Sequence, residues 1–180
     1  MAEIRGARGD GLVIGFRADM DALPFTESTG ASYASKAHGR MHGCGHDGHT
    51  AMLLGLADVL AENRDFAGTV RLIFQPAEEG QAGGQRMVEE GLFERFPMDR
   101  VFALHNWPEF PPGVVGALNG PIMASSHYMS VTLRGAGGHG AMPHKAKPLM
   151  SAAAHVQLAL DSYLAQQVDA RRAIVISLTQ

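Results

Sequence analysis

Hydrophobic positions along the chain come in short runs separated by polar, glycine-rich stretches. Gly11 to Ala18 (GLVIGFRA) is an apolar run bounded by glycine and by Asp19, and predicts a buried strand opening into a charged loop. Asp21 to His49 carries Gly, Pro, Ser and His without periodicity, which predicts a long loop of the kind compact domains keep for function. From Thr50 to Asn63 the apolar residues Met52, Leu53, Leu56, Val59 and Leu60 recur at helical spacing, with Asp47 as an early cap or first-turn acid. Thr69 to Gln75 alternates as a strand, Gly84 to Phe93 has a helical pattern, and Arg100 to His105 is again strand-like. Strands alternating with helices predict an α/β fold with a mostly parallel sheet, whose ligands gather at the carboxyl ends of the strands. Asp19 and Asp21, Glu78 and Glu79, and His105 all follow strands and are expected on that one edge.

The pattern changes after Gly113. GVVGAL at 113–118 and the alternating segment 127–134 predict short strands, 149–164 an Ala-rich helix, and 173–178 a final strand. Two partial domains are expected, 1–124 and 125–180.

Composition narrows the class. With 46% hydrophobic and 18% charged residues and a formal net charge of −3, the chain reads as a soluble globular protein rather than a disordered one. It has no basic face for nucleic acid, no apolar run near the roughly 20 residues that cross a bilayer, and no visible signal peptide, so a cytoplasmic location is expected. The 22 glycines imply many turns and close backbone approaches. The lone Cys44 cannot form an intramolecular disulfide. His38, His42, His46 and His49 crowd into twelve residues around it.

Cys44 and His46 sit one residue apart in HGCGHDGH, and in an extended segment they would project to the same side and could share a transition metal such as zinc. A packing cysteine beside solvated loop histidines is the other reading. Glu78 and Glu79 follow a strand, where neighbours point in different directions, so one could bind metal while the other acts as general base on an activated water. They could equally open a helix, whose positive end favours acids. His105 is either a ligand or a core histidine. GAGGHG at 135–140 lacks the strand-to-helix setting of a dinucleotide fingerprint, and places His139 on a flexible turn.

Taken together, RADMDALPFTE (17–27), MHGCGHDGHTAMLLG (41–55), IFQPAEEGQAGGQRMVEEG (73–91), ALHNWP (103–108) and GAGGHGAMPH (135–144) resemble, in order and spacing, the M20 peptidase family. The nearest branch is that of the amidohydrolases acting on hippurate, N-acyl-amino acids and auxin conjugates. The resemblance implies a zinc-peptidase-like α/β domain with helices on both faces of the sheet, interrupted by an α+β lid through which two copies form a homodimer. It implies two divalent metal ions (Zn, Mn, Ni or Co), held by Cys44, His46, Glu79 and His105, with Glu78 as general base. His139 would be the lid histidine that reaches the partner's site and stabilises the developing oxyanion. Asp19 and Asp21 are expected to orient the ligands, while His42 and His49 match the motif without a ligand role. Gly43 and Lys147 depart from the family pattern, in a loop and on the lid surface. The implied reaction is hydrolysis of the amide bond of a small N-acyl-amino acid. The alternatives are an inactive fragment that only binds metal or a partner, and a nucleophilic Cys44. Family members carry a segment before the first motif and a further His ligand beyond the lid, so the sequence resembles an internal portion of such an enzyme.

Overall fold

The computed structural model describes residues 1–178 and divides the chain into two units, Met1–Pro112 and Gly113–Gln180. The first unit is built on a four-stranded sheet of β1 (Ala2–Arg5), β2 (Val13–Asp19), β3 (Thr69–Gln75) and β4 (Arg100–Ala103), in the order β1-β3-β2-β4. β2 pairs in parallel with β3 on one side and with β4 on the other, while β1 runs antiparallel along the outer edge of β3. The sequence pattern does not announce β1, whose four residues include a single buried side chain, Ile4. The other three strands stand where the apolar runs predict them.

Side-chain alternation divides the sheet into two faces. Phe16 and Ala18 of β2 and Val70, Leu72 and Phe74 of β3 meet Leu53, Leu56, Ala57 and Leu60 of helix α1 (His46–Glu62). On the alternate positions, Gly15 lies beneath Met98, the Arg71 guanidinium sits 5.6 Å from the Phe96 ring centroid, and Gln75 abuts Gly84. Gly84 belongs to α3 (Gly83–Glu89), so helices cover both faces. Topology gives the reason: the chain moves from β2 to β3 in one direction and from β3 across to β4 in the other, and right-handed crossovers then place their helices on opposite faces. The crevice at the carboxyl ends of β2 and its neighbours is a switch point of the kind where α/β sheets bind ligands.

Two sequence expectations shift. α1 begins at His46 rather than Thr50, and its inward stripe is His46, His49, Leu53, Leu56 and Leu60; Met52 and Val59 face outward. The helix expected over 84–93 is broken into α3 and α4 (Leu92–Arg95) at Gly91, whose φ of 87° is left-handed.

In the second unit, α5 (Leu149–Gln167) forms as its Ala-rich sequence predicts, preceded by a 3₁₀ turn at Pro143–Lys145. Its start is tied to the preceding chain by the Lys147 amide donating to the Ala136 carbonyl and by Leu149 packing on Gly135. The strands expected at 113–118, 127–134 and 173–178 do not form: these segments have no ladder partner among the described residues, and alternation alone does not make a strand. No helix among the described residues is long and apolar enough to cross a membrane.

Candidate metal centre

Three strand ends and one helix start supply the site. β2 ends in Asp19 and leads to Asp21, β3 leads through Pro76 to Glu78 and Glu79, β4 leads to His105 and Asn106, and the long loop delivers Cys44 just before α1. Gly45 carries the loop into the helix at φ 84°, a left-handed conformation in which a Cβ would also come within 2.5 Å of Asn106 Oδ1. The extended Cys44-x-His46 geometry expected from sequence is therefore replaced by a tight turn. Cys44 and His46 nonetheless converge with His105, each offering an atom within 4.8 Å of the others.

His46 is fully buried. Its Nδ1 lies 3.0 Å from the Asp21 carbonyl oxygen, which can only accept, so Nδ1 donates and Nε2 is the nitrogen left over for a ligand. That nitrogen has no hydrogen-bond partner. It faces Asp19 Oδ2 at 3.7 Å, Glu79 Oε1 at 3.8 Å and Glu78 Oε2 at 4.0 Å. A buried ring nitrogen with no partner, facing three carboxylates beyond hydrogen-bond distance, is an unfavourable arrangement that a cation between them relieves. Cys44 Sγ and His105 Nε2 are 3.4 Å apart, and two ligands bound tetrahedrally at about 2.3 and 2.0 Å from one zinc would stand roughly 3.5 Å apart. The donor set and its spacing thus fit a divalent metal ion.

Supporting contacts hold these groups. Asp21 Oδ2 accepts the Glu79 amide at 2.9 Å, linking the acidic turn to the same residue that orients His46. The turn α2 (Glu78–Gln81) is not a regular helix: Ala77 precedes it at φ 55°, a left-handed conformation costly for a residue with a side chain, and Glu79 and Gly80 have non-helical dihedrals. This kink separates the two carboxylates, leaving the Glu78 side chain 43% exposed and Glu79 27%. Asp19 is buried, receiving Arg17 at 2.6 Å and His49 Nδ1 at 2.7 Å.

The electrostatics follow. Burial pushes the Asp19 carboxyl up, but the His49 hydrogen bond and the Arg17 charge outweigh it and hold it below its ordinary range. Burial likewise opposes ionisation of Asp21, and the Glu79 and Glu78 amides overcome it, again lowering the pKa. Cys44 moves the other way: burial, then the Glu79 hydrogen bond and the charges of Glu79, Glu78 and Asp19, push its thiol up to about 11. A nucleophilic thiolate needs a positive neighbourhood, and the metal-free site is negative, which disfavours the nucleophile reading.

Six residues carry the sequence-based site. The structure brings Cys44, His46, Glu78, Glu79 and His105 to one crevice, whereas His139 belongs to the second unit, on an exposed turn with its Nδ1 accepting the Ala141 amide at 3.2 Å. The family resemblance assigns His49 no ligand role. It is buried against Asp19 and Asn106, and its spacing of i+3 from His46 would have put it on the same helix face had the helix start been recognised.

Comparison with known proteins identifies the family. The chain is 41% identical over 181 residues to an N-acetylcysteine deacetylase of Bacillus subtilis (strain 168), covering 100% of this chain and 47% of that protein. It is 47% identical over 165 residues to a hippurate hydrolase of Campylobacter jejuni, covering 92% of this chain and 43% of the relative. The chain therefore spans under half the length of these curated relatives. Among solved structures, a dinuclear metal-binding peptidase of the M20 family from Bacillus subtilis matches at TM-score 0.57 and 50% identity, over 61% of this chain and 30% of that one. An aminohydrolase from methicillin-resistant Staphylococcus aureus matches at TM-score 0.67 and 34% identity, over 95% and 45%. The pattern of peptidase family M20/M25/M40 extends over residues 15–174, and the chain belongs to that family.

Proposed function

We propose that this chain carries the metal centre of an amidohydrolase that cleaves N-acyl-amino acids to a carboxylic acid and a free amino acid. The observation that carries the reading is the buried, unpartnered Nε2 of His46, facing carboxylates beside the Cys44–His105 pair. Cys44, His46, Glu79 and His105 would hold two divalent ions; relatives named as deacetylases and hydrolases, and a solved neighbour named as dinuclear, support the count and the chemistry. Such ions, when bound, polarise a carbonyl and acidify water.

The protein's own groups do the rest. Glu79 is the less exposed of the acidic pair and borders both His46 and Cys44, which suits a ligand. Glu78 is the more open of the pair, which suits a base that takes the proton of the attacking water and passes it to the leaving nitrogen. In the second unit, the Ala141 amide donating to His139 Nδ1 leaves Nε2–H as an outward donor, suited to a developing oxyanion. A homodimer would bring that donor to the site of the other copy.

The test is amine release from hippurate and N-acetylcysteine by metal-loaded protein, assayed as the 180-residue chain and at the length its relatives have. Chelator-sensitive release, abolished by Glu78→Gln, is the expected result. Release that survives chelation, or that iodoacetamide stops and chelator does not, would return Cys44 to the role of nucleophile.

A further inference from the structure

Asp19, His46 and His49 form a second, wholly buried group whose nitrogen and oxygen atoms lie within 4.8 Å of one another. By position alone His49 could be a ligand. We propose instead that His49 is a positioning residue, which binds no metal and clamps the backbone at Asn106 so that His105 presents its Nε2 toward Cys44. The proposal rests on the metal-centre reading above.

The two buried histidines differ in what their nitrogens already do. His46 has one nitrogen committed and one orphaned, whereas both nitrogens of His49 are engaged: Nδ1 meets Asp19 Oδ1 at 2.7 Å and Nε2 receives the Asn106 backbone amide at 3.0 Å. A backbone amide can only donate, so Nε2 is the acceptor and Nδ1 holds the proton against the Asp19 carboxylate. Asn106 Oδ1 also lies 2.8 Å from Nε2, and an end-for-end turn of that carboxamide brings its NH₂ to the same lone pair. Binding an ion through Nε2 would strand the Asn106 amide, and binding through Nδ1 would break the bond to Asp19; each leaves a buried polar group unpaired.

The Asn106 backbone has a second commitment, on the other side of its Cα. Its carbonyl oxygen lies 2.8 Å from His105 Nδ1, which therefore donates and leaves His105 Nε2 bare, 3.4 Å from Cys44 Sγ. The two peptide groups that meet at the Asn106 Cα thus bind the two histidines, the first donating its N–H to His49 and the second accepting from His105. The imidazoles of His49 and His105 also pack edge to face at 4.7 Å between centroids. Gly45 completes the clamp, because only a residue without Cβ leaves room for the Asn106 side chain. The relay Asp19–His49–Asn106–His105 joins the ends of β2 and β4 through the first turn of α1.

The decisive measurement is NMR of the full 180-residue chain carrying nitrogen-labelled histidine, before and after addition of an NMR-active cadmium isotope. Expected are scalar couplings from cadmium to Nε2 of His46 and of His105, none to His49, and a proton on His49 Nδ1 in both states. A cadmium coupling at His49, or a proton on its Nε2, overturns the proposal while leaving the metal centre intact. Absence of coupling at every histidine defeats the metal-centre reading and the positioning role with it. Cadmium titration of variants gives a second test: His49→Ala should weaken affinity about 10- to 100-fold at unchanged stoichiometry, the range typical when a residue that orients a ligand is lost. His49→Gln, which restores an acceptor near the Asn106 amide, should recover more than His49→Asn, which restores only a donor toward Asp19. Affinity within about twofold of the unsubstituted chain, a lost ion, or the reverse order of rescue contradicts the clamp. Should these variants fail to fold, the couplings in the unsubstituted chain decide alone.

Discussion

Helix α1 runs 17 residues and buries His46, His49 and Leu53, whereas α5 runs 19 residues and has no buried residue. α1 contains Gly48 and Gly55, poor helix formers, and stands because its inward stripe covers the sheet. α5 is rich in Ala, Leu and Gln, good helix formers, and keeps only a half-buried stripe of Ala153, Val156, Gln157, Leu160 and Leu164. The contrast extends to the units: every buried residue among those described lies in Met1–Pro112. A helix anchored along its length can present a side chain to fixed tolerance, and α1 is the one that starts inside the metal site.

The largest effect that would test this division of labour is on turnover. Glu78→Gln, in metal-loaded protein at the length of its relatives, should lower kcat by about 10²- to 10⁴-fold without loss of metal. Mixing Glu78→Gln with His139→Ala protein should then recover activity, since a hybrid dimer holds one site with both groups intact. Near-normal turnover removes Glu78 from its role, and no recovery after verified subunit exchange removes the shared site.

Stability should divide the same way. Leu72, 1% exposed at the centre of the sheet, should cost about 2–5 kcal/mol when truncated to Ala, read by denaturant unfolding. Leu158→Ala in α5, at 65% exposure, should stay within about 0.5 kcal/mol. A large loss at Leu158 would mean that α5 is packed on a partner surface.

Cysteine reactivity tests the charge of the site. With the thiol pushed up to about 11, metal-free protein should alkylate with iodoacetamide about tenfold more slowly than free cysteine at neutral pH. The thiolate fraction drops about a hundredfold and the greater nucleophilicity of the more basic thiolate returns part of it. Because the folded value is raised, the contribution of the protonated thiol to stability is present below the ordinary cysteine value and is lost as pH climbs toward 11. A rate equal to that of free cysteine would show a thiolate stabilised by something other than metal.

The smallest effect is at acid pH. Asp19 is held below its unfolded value, so its stabilisation is present above about pH 4 and is lost as pH falls through the folded value. Asp19→Asn should flatten that part of the acid unfolding profile; an unchanged profile would assign acid sensitivity to other groups.

How much of this was legible in the sequence follows the same physics. Val13–Asp19 and Thr69–Gln75 read clearly because each is a short apolar run closed by polar residues, and the rule for parallel sheets then put Asp19, Glu78, Glu79 and His105 on one edge. The edge strand Ala2–Arg5 did not read, because a strand that buries one side chain has almost no pattern. The first turn of α1 was hidden because His46 and His49 are polar residues turned inward, the reverse of the periodicity that marks a helix. The alternating segments after Gly113 read as strands but have no pairing partner, and pairing is not written in the segment itself.

The central claim is that the lone pair of His46 and the Cys44–His105 pair exist to hold metal. Metal analysis of the purified chain beside Cys44→Ala, after exhaustive dialysis, tests it most directly. The account predicts that the divalent metal retained by the unsubstituted chain is lost in Cys44→Ala, since dropping one ligand leaves an open and poorly held ion. Undiminished stoichiometric metal in Cys44→Ala would contradict it.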